Sequence, residues 1–263
     1  MAKKRLIPKL QLMPSNLNLG KMSLVTTVEF SNVIEVGDPV SQAKIYESQA
    51  VDELIFVDLS HSKKLNNANF AIDMLNAVAK EVFLPLTIGG GVNSVDDFRL
   101  FLNNGADKVA VNSAALANPQ LITDAAKLFG AQCVVVSIDY KKDEIGEAQV
   151  YGNSGSRKYN YHPVEWAKQV EQLGAGEILL TSIDHDGKRN GLELQVSRQI
   201  CEAVSIPVIL SGGCGRALHF ITGFIEAGSD AVSAGTFFCF QDQNPMQTRG
   251  HISNAGIDIR IHT

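Results

Sequence analysis

Eight short β-rich apolar runs, helical patterns between them and an internal repeat about half the chain apart predict an α/β protein of the (β/α)8 TIM-barrel class. The runs are RLIPKLQL (5–12), ELIFVDLS (53–60), FLPLTIGG (83–90), KVAVNSA (108–114), CVVVSID (133–139), EILLTSID (177–184), IPVILSGG (206–213) and DAVSAGTF (230–237). Between them lie DPVSQAKIYESQ, NFAIDMLNAVAKEV, SVDDFRLFLNNG, NPQLITDAAKLFG, HPVEWAKQVEQLG, LQVSRQICEAV and ALHFITGFIEAG. Alternation this regular implies parallel strands joined by right-handed crossovers. Eight such units in about 250 residues match the size of a closed barrel. An open doubly wound sheet is the alternative, and it usually has fewer strands.

The helix boundaries carry their own signals. Ser94 is placed as an N-cap with acids in the first turn. Pro119 and Pro163 fall at first helical positions, and Gly105, Gly130, Gly174 and Gly228 follow helix ends. After DAVSAGTFFCF, the stretch QDQNPMQTRGHISNAG offers only a short helical pattern for the eighth unit.

The repeat supports closure. IGGGVNSVDDFRLFLNNGADKVAVNSAA resembles LSGGCGRALHFITGFIEAGSDAVSAGTFF, with Gly90 matching Gly212 and Asp107 matching Asp230. An offset near half the chain implies that four units were copied to make eight. The expected organisation is one domain over 1–263, with half-barrels near 1–125 and 126–245 and an atypical segment at 241–263.

Composition narrows the function classes. The chain has 263 residues, 45% hydrophobic and 19% charged, with a formal charge of −5. This is the balance of a globular protein with a sizeable core, and it gives no electrostatic footprint for nucleic acid or anionic membrane. Cys133, Cys201, Cys214 and Cys239 are scattered, with no CxxC pair, and Cys133 is expected buried and reduced inside an apolar strand. The six histidines form no ligand-spaced cluster. These features predict a reducing cytoplasm, no structural metal and no cofactor. The N-terminus MAKKRLIP is basic, but Pro8 and Gln11 interrupt any run long enough for a signal peptide, and no run approaches the roughly 20 residues of a membrane span.

Chemistry in such a barrel sits on the loops after the strand C-termini. The turns GGG (89–91) and SGG (211–213) fall there, as do VNSAA (111–115) and SAGTF (233–237). Glycine lets the backbone approach an anion, and the helix starts that follow offer free N–H groups. Gly90, Gly91, Asn112 and Ser113 make one candidate phosphate cradle, and Ser211, Gly212, Gly213, Gly235 and Thr236 the other. A glycine after a barrel strand can merely make a turn. The duplication, with a small-residue second turn in each half, favours phosphate. Two cradles on one mouth suit an elongated substrate with a phosphate at each end.

Acids lie between the cradles: Asp58, Asp139, Asp184 and Asp186. An Asp at a strand tip can cap the next helix, and one or two of the four are expected to do so. Asp139 ends a wholly apolar run and is the best general acid/base candidate. At the other end, Arg5, Glu53, Lys108 and Glu177 open four strands. A solvated rim of salt bridges explains them, and from pattern alone it is the stronger reading. A gate that opens for a small molecule explains them too.

Taken together, GDPV, DELIFVDL, PLTIGGGVNSVDD, GADKVAVNSAA, NPQLITDAA, GAGEILLTSIDHDG and IPVILSGG resemble the cyclase subunit of imidazole glycerol phosphate synthase, over nearly the whole chain to about residue 240. The resemblance implies an enzyme whose barrel accepts ammonia from a glutaminase docked at its N-terminal face. The ammonia passes a charged gate to a bisphosphate substrate at the opposite face. It implies gate roles for Arg5, Glu53, Lys108 and Glu177, substrate contacts at Asp58, Asp186 and Gly187, and a catalytic role for Asp139.

The other catalytic aspartate of that family falls at Gln11. Lys9 stands where the family has cysteine, and Thr26 where it has lysine. An amide cannot take up a proton near neutral pH as a carboxylate does, and removing such a group commonly loses about 10²–10⁴-fold in rate. The kept gate and altered chemistry resemble a sibling branch of surface-polysaccharide pathways that supplies ammonia for acetamidino groups on sugars. The expected role is therefore an ammonia-accepting synthase subunit acting on a phosphorylated or nucleotide-linked sugar. The alternatives are a working histidine-pathway cyclase that tolerates Gln11 and a non-catalytic ammonia-conducting scaffold.

Overall fold

A computed structural model describes residues 3–16, 18–60, 66–240 and 243–260, without the side chains of 66–69. Its strands are β1 (Arg5–Pro14), β2 (Met22–Val28), β3 (Ser31–Gly37), β4 (Leu54–Asp58), β5 (Leu86–Gly89), β6 (Lys108–Val111), β7 (Val134–Lys142), β8 (Ala148–Gly152), β9 (Arg157–Lys158), β10 (Glu177–Ser182), β11 (Val208–Ser211) and β12 (Ala231–Ala234). Eight of them close a parallel barrel in the order β1, β4, β5, β6, β7, β10, β11, β12. The ring is sealed where β12 returns to β1, with Arg5 beside Ala231. The predicted (β/α)8 barrel is the observed fold.

Side chains alternate across each strand, so each barrel strand serves two cores. On β1, Leu6, Leu10 and Leu12 join the large core between barrel and helices. Ile7 joins a second cluster with Ile55, Ala110, Val135, Leu179, Ile209 and Ala231, one from each of seven barrel strands. These residues form an apolar collar inside the barrel. The same parity puts Arg5 on the inner face below the collar and Lys9 and Gln11 above it. Outside, Phe56, Phe98 and Phe220 are fully buried, and each contributes roughly 1.5–3 kcal/mol by leaving water.

Two antiparallel hairpins, not anticipated from sequence, extend the mouth. β2 pairs with the far half of β1 and β3 with β2, while β8 pairs with the far half of β7 and β9 with β8. The first hairpin turns at Glu29 and Phe30, which both take positive φ (52° and 59°), and the second at Asn153 and Ser154 (50° and 53°). These are the left-handed turns hairpins favour, built without the usual Asn-Gly signal.

Several boundaries differ from expectation. Pro119 is the residue before the helix Gln120–Phe129 rather than its first, because a separate short helix, Ser113–Ala117, fills the preceding turn. Pro163 does open its helix, capped by His162, and Ser94 caps Val95–Asn103 in a reciprocal pair with Asp97. Gly130 is the helix cap itself, and Gly228 lies beyond the cap Glu226. Cys133 closes a 3-10 turn just before β7 and is only half-buried, because the strand starts at Val134.

The C-terminal segment holds a stronger helix than its composition suggested. Asn244 and Gln247 form a capping box over Pro245–Asn254, with proline at a first-turn position. Its Arg249 donates to Ala50 O at 2.6 Å and Asp52 Oδ2 at 2.8 Å, and Asp52 Oδ2 also accepts from Leu6 N at 2.7 Å. This buried pair ties the segment to the N-terminal end of the barrel. Among the described residues, no helix is long and apolar enough to cross a membrane.

Candidate functional site

At the N-terminal end of the barrel, four charged side chains meet across the bore. Arg5 donates to Glu53 Oε1 at 2.7 Å and to Glu177 Oε1 at 2.6 Å. Lys108 Nζ lies 2.8 Å from Glu53 Oε2 and 2.8 Å from Glu177 Oε2. β1 and β10 are not neighbours in the barrel, nor are β4 and β6, so the contacts span the interior rather than run along its rim. Burial opposes the charges of Arg5, Glu53 and Lys108. Arg5 and Lys108 nevertheless hold the Glu53 carboxyl below its ordinary range, and the two glutamates hold both cations above theirs. The ring is a closed set of two positive and two negative charges, not the solvated rim that pattern alone favoured: Arg5, Glu53 and Glu177 are buried and Lys108 partly so.

The opposite end holds a pocket lined by Lys9, Gln11, Asp186, Gly187, the turn Ser211–Cys214 and the turn Ser233–Thr236. The strand parity that places Arg5 and Ile7 inward brings Lys9 and Gln11 to this pocket. Gln11 Nε2 donates to Thr27 Oγ1 at 3.0 Å, and Thr27 Oγ1 donates to Asp186 Oδ2 at 2.8 Å. Lys9 Nζ lies 3.7 Å from the other oxygen, Asp186 Oδ1. Asp139 is buried above the collar on β7. Its Oδ2 accepts from Asn112 Nδ2 at 2.6 Å and its Oδ1 from Ser137 Oγ at 3.2 Å. Burial, with a smaller push from Asp186, raises its carboxyl to about 6 against the pull of Lys9, Ser137 and Asn112. A carboxyl poised near neutrality can accept and return a proton.

The first hairpin is held over this pocket by the loop after β10. Glu29 N donates to Asp186 O at 3.0 Å, and Lys188 pairs with Glu29 at 2.6 Å. Gly187, at φ 72°, packs where a Cβ would fall 2.0 Å from Thr27 O. The glycine thus lets hairpin and loop touch, which is how Thr27 reaches Asp186.

Of the residues expected at the mouth, Gln11, Asp186, Gly187, Ser211, Gly212, Gly213, Gly235 and Thr236 line one pocket, and Asn112 is joined to Asp139. Gly90, Gly91, Ser113 and Asp58 lie outside that lining. Ser113 Oγ accepts from Asn153 N of the second hairpin at 2.8 Å. Asp58 Oδ1 accepts from Ser60 N at 2.8 Å and Asp184 Oδ2 from Lys142 N at 2.8 Å, so these two acids brace backbone. Gly90 and Gly212 are equivalent: both take positive φ, and a Cβ on either would strike the end of the preceding barrel strand, Asp58 O at 2.1 Å or Ser182 O at 2.5 Å. Sequence reasoning missed Thr27 altogether and gave Lys9 no role. Inward parity along β1 was the available signal for Lys9.

Comparison with known proteins agrees with this architecture. A family model described as histidine biosynthesis protein matches residues 13–244. The chain is 47% identical over 262 residues to a protein of Prochlorococcus marinus (strain MIT 9313) named "Putative imidazole glycerol phosphate synthase subunit hisF2", covering 99% of each. It is 42% identical over 261 residues to the imidazole glycerol phosphate synthase subunit HisF of Hydrogenobaculum sp. (strain Y04AAS1), and 40% identical over 261 residues to that of Geobacillus thermodenitrificans (strain NG80-2). Both alignments cover 99% of this chain and 100% of the relative. These names favour the imidazole glycerol phosphate reading over the surface-polysaccharide branch expected from Gln11.

Proposed function

The chain belongs to the histidine biosynthesis family of HisF-type imidazole glycerol phosphate synthase subunits, and from that premise we propose that it is the ammonia-accepting synthase subunit of a glutamine amidotransferase. A glutaminase subunit docks at the N-terminal face and releases ammonia beneath the ring of Arg5, Glu53, Lys108 and Glu177. The ring parts, ammonia crosses the apolar collar, and it meets a phosphorylated acceptor at the mouth. The carrying observation is the pairing of a buried charged ring at one end of the bore with Asp139 at the other. Ammonia is small and uncharged, so an apolar collar admits it while holding back ions.

At the mouth, Asp139 takes the proton that ammonia sheds as its nitrogen bonds to the acceptor. Asn112 and Ser137 hold that carboxylate in place. The turns Ser211–Cys214 and Ser233–Thr236 hold phosphate through backbone N–H groups and hydroxyls. The names of the relatives make imidazole glycerol phosphate the first product to test. An assay supplied with its phosphorylated precursor and ammonium decides this. Product that disappears in Asp139→Asn supports the reading, and product that persists in that variant contradicts the role of Asp139.

A second reading keeps the ammonia route and changes the acceptor to a phosphorylated or nucleotide-linked sugar. Gln11 favours it, because its amide is engaged with Thr27 and supplies no ionisable group. Supplying the same complex with nucleotide-linked keto sugars and glutamine separates the two by product mass.

A further inference from the structure

Lys9 takes no part in the reading above, yet it brings a cation into the mouth beside two acids, Asp186 and Asp139. It is 7% exposed, makes no side-chain hydrogen bond among the described residues, and its nearest acid is 3.7 Å away. Two more groups line the same pocket: Ser211 Oγ and Ser233 Oγ are buried without a hydrogen-bond partner among the described residues. They sit on the strands that precede β1 in the barrel, β11 and β12.

Residues two apart on a strand share a face about 7 Å apart. The four-carbon stem of lysine spans most of that step. Lys9 therefore brings its ammonium to the level of Gln11, and both side chains converge on Asp186, Lys9 directly and Gln11 through Thr27. Lys9 also acts on Asp139 and on Cys214 through its charge.

We propose that Lys9 is the second catalytic group of this site, donating a proton to the acceptor oxygen that becomes negative when ammonia adds, the task a carboxylic acid at position 11 would serve. This rests on the reading of ammonia as the nucleophile. The nitrogen lone pair forms the N–C bond and the carbonyl π pair moves onto oxygen. Lys9 gives that oxygen a proton, and the new ammonium nitrogen gives one to Asp139. The product is a carbinolamine, and solvent returns the proton from Asp139 to Lys9. The Ser211 and Ser233 hydroxyls, in the turns that hold phosphate, anchor the acceptor beside Lys9.

Two measurements on the full chain test this. The first compares ammonium-driven turnover of the imidazole glycerol phosphate precursor in wild type, Lys9→Met and Lys9→Arg. Lys9→Met should lower kcat about 100-fold or more with little change in KM for ammonium, and Lys9→Arg, whose guanidinium keeps the charge but does not release a proton, should recover less than about threefold, whereas recovery of about tenfold or more overturns proton donation. A kcat for Lys9→Met within about threefold of wild type overturns the proposal. The second needs no acceptor: the Asp139 carboxyl is titrated by carbon NMR in wild type and Lys9→Met. The groups facing it are Lys9, Asp186, Asn112 and Ser137. Loss of the cation should raise its midpoint, and an unmoved midpoint places the Lys9 ammonium elsewhere and overturns the proposal. A wild type that makes no product from that precursor sinks the acceptor assignment and leaves this titration to decide Lys9.

Discussion

Glu53 and Glu177 share the same two cations: each gives one carboxylate oxygen to Arg5, at 2.7 and 2.6 Å, and the other to Lys108, at 2.8 Å. No charge in the ring can leave without stranding another. Lys108→Met leaves two buried carboxylates around one guanidinium and should destabilise the fold by about 3–5 kcal/mol, the usual cost of orphaning a buried charge. Urea unfolding measures it. A loss within about 1 kcal/mol would mean that water already reaches the glutamates.

Asp139 couples stability to pH in a direction opposite to most carboxylates. Its folded value is raised from 3.8 to about 6, so the native chain holds this proton more tightly than the unfolded chain. That contribution is fully present below about pH 4 and is lost as pH rises through about 6. Asp139→Asn lacks the loss. Relative to wild type it should gain stability between pH 4 and 7, by on the order of 2–3 kcal/mol, as read from melting curves across that range.

The same shift sets an acid limb for activity. A protonated Asp139 cannot take a proton from ammonia, so kcat should fall below a midpoint near pH 6. Turnover profiles at saturating ammonia, with its concentration corrected for pH, give the midpoint. A profile flat to pH 5 removes Asp139 from the proton-accepting role.

Gly187 separates positioning from stability. Alanine there meets Thr27 O at 2.0 Å and must also take φ 72°. The hairpin Met22–Gly37 should lift from the loop after β10 and break the contact of Thr27 with Asp186. The expected result for Gly187→Ala is a turnover loss of about tenfold or more. Global stability should fall by only about 1–3 kcal/mol, because the strain is local. Hydrogen exchange confined to residues 22–37 checks the cause.

Arg249 anchors the C-terminal helix to a buried acid, Asp52, that also holds Leu6 N. Arg249→Met should cost about 3–5 kcal/mol. A matched Asp52→Asn, Arg249→Met double variant should recover part of it, as a double-mutant cycle reads directly.

The barrel was legible because its strands must be apolar on both faces and its helices are punctuated by caps and glycines. Ser94 and Pro163 stand where their chemistry places them. The hairpins were not legible, because their turns use Glu29, Phe30, Asn153 and Ser154 in left-handed conformations that these sequences do not advertise. The mouth was legible in part. Asp139 stands out in the sequence because it ends an apolar strand, whereas which of the other acids brace backbone amides shows only in the structure. The link from Gln11 through Thr27 to Asp186 crosses from β1 to its hairpin and then to the loop after β10. Only tertiary structure brings those together.

Isotope competition in the reconstituted complex tests most directly whether the bore carries nitrogen. The complex is fed amide-15N glutamine with unlabelled ammonium in excess, and the product is weighed. The account predicts 15N-rich product from wild type and diluted label once Arg5→Ala or Lys108→Ala breaks the ring. Label diluted equally in wild type would show that ammonia reaches Asp139 through solvent and contradict the account.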